Sequence, residues 1–78
     1  MQKLVSELIG SGVILRQENA LAGRVQEVVI SPENRQLLGF VVQEGFGKKK
    51  LKTLAAKDVL GFNEQFILIP SYKSLAKP

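Results

Sequence analysis

Lysines beside an aromatic ring are the side chains that hold phosphate and stack on bases. The stretch "EGFGKKKLK", Glu44 to Lys52, sets four lysines next to one phenylalanine. Gly45 and Gly47 flank Phe46, and Lys48, Lys49, Lys50 and Lys52 follow. A glycine-rich loop ahead of a lysine suggests a phosphate cradle, so nucleotide binding is the first chemistry to weigh. A P-loop needs G-x-x-x-x-G-K-[ST]. With Gly47-Lys48 as its end, Val42 stands at the first glycine position and Lys49 at the Ser/Thr position. A dinucleotide fingerprint needs G-x-G-x-x-G at the opening of a helix. Here Lys50 takes the third glycine position, and a strand-like run follows. Both nucleotide readings fail on spacing.

Two readings of the tract remain. Lysines on a return strand blunt a sheet edge against aggregation. Alternatively they form a docking handle, for an acidic protein surface or for RNA, with Phe46 as a stacking platform. Phe46, Lys48, Lys49, Lys50 and Lys52 are therefore the candidate partner-binding residues.

Catalysis has little to draw on. The chain has no histidine and no cysteine, which removes the commonest general base and metal ligand and every thiolate. Ser6, Ser11, Ser31, Ser71 and Ser74 fit caps and turns, and no imidazole is available to activate them. Glu18, Glu27 and Glu33 read as solvated charge near turns. No enzymatic activity, cofactor or metal is expected.

The elements that would position the lysine tract are short. At 78 residues the chain allows one domain. Its longest apolar runs are four residues, as in Phe66–Ile69, against roughly 20 for a membrane-spanning helix. Residues 1–13 show no signal-peptide pattern, so a cytoplasmic protein is expected. The net charge of +4 lies wholly in the second half. Residues 1–39 carry four basic and four acidic side chains, and residues 40–78 carry seven lysines against three acids.

Val13–Leu15 reads as a first strand and Arg24–Ile30 as a second. A bulge near Gln26-Glu27 would bring Val25 to the core face. Ser31–Arg35 is turn chemistry, with Asn34 suited to a left-handed backbone. Leu37–Glu44 is the clearest strand, and Gly39 within it marks a bend or a close backbone approach. Residues 45–47 form a hairpin connection, and Lys48–Leu54 return. Ala55–Leu60 has helical composition for one or two turns, Phe66–Ile69 is a last strand, and Pro70 ends it. Three of the five aromatics look like core. The whole predicts a mainly β fold: a small antiparallel β-barrel of about five to six strands with one short helical turn. The domain is expected over residues 1–70, with 71–78 as a frayed tail.

Four segments together resemble the PRC-barrel domain family. They are "SELIGSGVIL" (Ser6–Leu15), "LAGRVQEVVIS" (Leu21–Ser31), "LLGFVVQEG" (Leu37–Gly45) and "LAAKDVLGFNEQFILI" (Leu54–Ile69). Asn19, Glu27 and Leu54 depart from the family's common glycine, aspartate and proline. The resemblance implies a compact barrel used as an interaction module. Such domains occur in the cytoplasmic part of the H subunit of photosynthetic reaction centres, at the C-terminus of the ribosome maturation factor, and in short prokaryotic proteins. It implies a non-enzymatic adaptor with a protein partner, a second copy included. An RNA- or ribosome-associated module using the Lys48–Lys52 hairpin is the alternative.

Overall fold

The computed structural model describes residues 5–45 and 50–77. Seven strands form one curled sheet in the order β5-β6-β1-β2-β3-β4-β7. They are β1 Gly12–Leu15, β2 Ala20–Ile30, β3 Leu37–Glu44, β4 Lys50–Ala55, β5 Gly61–Phe62, β6 Phe66–Ile69 and β7 Leu75–Ala76. Short 3-10 turns lie at Val5–Leu8, Ala56–Asp58 and Tyr72–Ser74. The mainly β barrel-like fold expected from the sequence is the fold observed.

Alternation explains the curl. Val13 and Leu15 of β1, Phe40 and Val42 of β3, Leu54 of β4, and Ile67 and Ile69 of β6 point inward and are buried. A strand turns successive side chains to opposite faces, so each of these strands contributes one apolar row to a single interior. Leu8 closes the interior from the first 3-10 turn. Val25 joins it through a register shift between Val25 and Glu27, where the sequence places a bulge.

Gly39 lies where β3 and β4 approach closely. A Cβ there would run into the backbone carbonyl oxygen of Leu54, so the expected close approach is present and involves backbone on both sides.

Several expectations are corrected. The β1–β6 pair is parallel, from Gly12 opposite Phe66 to Leu15 opposite Ile69, while the remaining pairs are antiparallel. The left-handed residue of the β2–β3 turn is Arg35, with φ 58°, rather than Asn34. Asn34 instead accepts a hydrogen bond from the Gln36 N–H through its side-chain oxygen. Asn19, in the position where a glycine is common, does take a left-handed backbone, with φ 53°.

The segment from residue 71, expected to fray, is a strap. Leu75 enters the core and pairs with Leu54, and Ala76 pairs with Thr53. The Ser71 hydroxyl caps the 3-10 turn by accepting from the Lys73 N–H. One apolar side chain and two ladder positions tie this mostly polar segment to the barrel, and side-chain hydrogen bonds add to them.

Three of the five aromatics are expected in the core; Phe40 is buried there, whereas Phe62, Phe66 and Tyr72 are exposed.

Candidate partner-binding surface

Two surface regions collect side chains that do not serve the core. The first lies at the end of the barrel carrying the lysine hairpin. Phe46, Lys48 and Lys49 fall outside the described residues. Lys50 is exposed and stands opposite Glu44 in the β3–β4 ladder. Lys52 is half-buried, with Nζ 5.8 Å from the centre of the Tyr72 ring, within cation–π range.

Tyr72 ties this end together. Its hydroxyl donates to the Glu44 carboxylate, 2.9 Å from Oε1 and 3.1 Å from Oε2. Its backbone N–H donates to Glu18 Oε2 at 2.8 Å. The strap is thereby fastened to the β1–β2 turn and to β3. The hydrogen bond to Glu44, then lost hydration, then the Glu44 charge hold the Tyr72 hydroxyl above its ordinary pKa of 10.0.

The second region is the outer face of β6, β1 and β2. Inward alternation of Val13, Leu15, Ile67 and Ile69 forces Gly12, Ile14, Phe66 and Leu68 outward. The parallel register sets Gly12 beside Phe66 and Ile14 beside Leu68. Across β1, Leu21 pairs with Ile14 and Arg24 with Gly12.

Gly12 has no side chain, and its neighbours lean over it. A Cβ there would meet Phe66 Cδ1 at 2.9 Å and Leu21 Cδ1 at 3.0 Å. Phe66 and Leu21 thus form an apolar ridge over the glycine, 39% and 53% exposed. Asn63 holds the ridge in place. Its side-chain oxygen accepts from the Phe66 and Gln65 N–H groups, each at 2.8 Å, and its own N–H donates to the Phe66 carbonyl at 2.9 Å.

A hollow lies on each side of Phe66. One, about 370 Å³, includes Ile9, Leu21, Arg24, Glu7 and Glu64 in its lining. The other, about 350 Å³, includes Ile14, Phe62 and Leu68. Phe62, on edge strand β5, also lines an apolar cleft of about 310 Å³ where β5 faces Leu37, Phe40 and Val59 across the seam of the barrel.

Sequence reasoning missed this face. The available signal was the Phe66–Ile69 run itself. It is apolar at both parities, yet a sheet around one interior buries only one of them.

Glu18 and Glu33 lie beyond opposite ends of the eleven-residue β2, with Glu27 between. Among the described residues no group of three carboxylates could hold a metal ion, and no helix is long and apolar enough to cross a membrane.

A curled sheet with a single interior, a strap over one edge and an open seam at the other defines a small, incompletely closed β-barrel domain. A family model described as the PRC-barrel domain matches residues 1–75, so the chain belongs to the PRC-barrel domain family. The comparison with curated proteins found no match. Domains of this family are generally non-catalytic modules.

Proposed function

We propose that the chain is a non-enzymatic interaction module that binds a protein partner through the outer face of β6, β1 and β2. The observation behind this reading is the Phe66–Leu21 ridge, two large apolar side chains fixed over a glycine and flanked by hollows. Large, partly exposed apolar anchors beside pockets are features from which binding hot spots are made. Lys50 and its neighbours Lys48, Lys49 and Phe46 add a charged handle that favours an acidic surface and speeds encounter.

The RNA reading needs Lys48, Lys49, Lys50 and Lys52 acting together, which would give a slope of about −3 to −4 in log K against log[salt]. Lys52 is drawn over the Tyr72 ring, which leaves three of the four to reach phosphate. The apolar ridge has no use in that reading, so the protein reading is preferred.

A photoreactive amino acid placed at Leu21 tests the proposal, with the same group at Leu38 as control. Leu38 is 54% exposed but lines neither hollow. Irradiation in cells that express the chain should give protein adducts from position 21 and few from position 38. Absence of protein adducts at position 21, or adducts to RNA alone, would overturn the reading.

A further inference from the structure

We infer that the occupant of this face is a second copy of the same chain, related by a twofold axis. The inference rests on the interaction-module reading and names its partner. A twofold interface joins one patch to itself, so the patch must contain both members of every contact it makes. This one does. The Phe66–Leu21 ridge is a knob, and the hollows of about 370 and 350 Å³ beside it are receptacles on the same surface. Rotation by half a turn brings the ridge of each copy over a hollow of the other.

The charges obey the same rule. The larger hollow carries Arg24 and also Glu7 and Glu64. Both signs sit on one rim, so the patch holds the acid and the base that a self-complementary contact requires. A patch of a single sign would point to a foreign partner instead.

Area supports a weak dimer. Ile9, Leu21 and Phe66 are 49%, 53% and 39% exposed. Together they offer roughly 300 Å², within the range of the largest apolar patch on a monomer of ordinary size. Pairing two such faces removes roughly 600 Å², the scale of a weak, transient association.

Sedimentation of the full chain from about 2 to 300 µM in 0.15 M salt tests the inference. The species should move from 8.6 kDa towards twice that mass. Leu21→Arg should remain a monomer throughout, with an unchanged far-ultraviolet spectrum and melting temperature, while Leu38→Arg should dimerise as the parent does. A parent chain that stays monomeric overturns the inference. So does a Leu21→Arg chain that dimerises normally. The position-21 adduct separates this failure from failure of the underlying reading. An adduct of two chains supports the dimer. A foreign protein alone removes the dimer and leaves the module, and no protein adduct removes both.

Discussion

Gly39 and Gly12 are both mid-sheet glycines whose missing Cβ matters, and they matter in different ways. At Gly39 the space is taken by the Leu54 carbonyl oxygen, part of the neighbouring strand's backbone. At Gly12 it is taken by the ends of two side chains, Phe66 and Leu21. The first glycine lets two strands come together, and no rotamer can relieve a substitution there. The second lets a ridge settle onto a surface, and a substitution there can be met by swinging the ring outward. The β3–β4 contact at Gly39 is thus fitted by backbone, and the outer surface at Gly12 is finished by side chains. One glycine serves stability and the other serves shape.

Substitutions can break or sharpen that contrast. Gly39→Val should cause the largest loss, about 3–5 kcal/mol in urea denaturation or failure to fold, because backbone must move to admit the side chain. A loss under about 1 kcal/mol would show that β3 and β4 part easily. Leu75→Ala comes next, at about 2–4 kcal/mol, the usual range for emptying a buried leucine site. It should also speed proteolysis of residues 71–77, since that side chain is the strap's anchor in the core. Gly12→Ala should cost about 1 kcal/mol or less while shifting the Phe66 ring resonances. It should weaken self-association at least fivefold, an effect on shape without matching loss of fold.

The smallest effect concerns the opposite end of the molecule. Tyr72 is the only tyrosine, and there is no tryptophan, so phenolate absorbance reports it alone. Its folded pKa is raised above the ordinary value by the Glu44 hydrogen bond and charge. A raised folded pKa means that the stabilising contribution is complete below the unfolded pKa near 10 and disappears as pH rises through the folded value. The native phenol should therefore titrate above pH 10, and Glu44→Gln should lower its midpoint. An unchanged midpoint in that variant would remove Glu44 as the cause.

The parts of this fold that were legible in the sequence are those governed by local pattern. Leu37–Glu44 alternates cleanly, Phe66–Ile69 is bounded by Pro70, and both strands run over those residues. Gly39 inside an apolar strand announced a close approach, and the parity defect around Val25 announced a bulge. The remainder depends on partners distant along the chain. Nothing within Gly12–Leu15 states that its second neighbour is residues 66–69, or that this neighbour runs parallel. Leu75 looks like an isolated apolar residue until β4 is beside it. The outward-facing Phe66 was hidden by a run too uniformly apolar to declare a face. The lysine tract is plain in the sequence because its charges are contiguous, whereas the ridge exists only after three strands are assembled.

The parallel pairing of β1 with β6 bears on how the chain comes off the ribosome. β1 is the first strand made, and one of its two neighbours is made about fifty residues later. Until residues 66–69 emerge, Val13 and Leu15 have half a wall and the nascent sheet has a bare flank. Loop-closure entropy must be overcome before that contact rewards the chain, so the barrel cannot complete itself until residues 66–69 are in place. An early stop anywhere before Phe66 would release a sticky, half-made sheet in place of a smaller working domain.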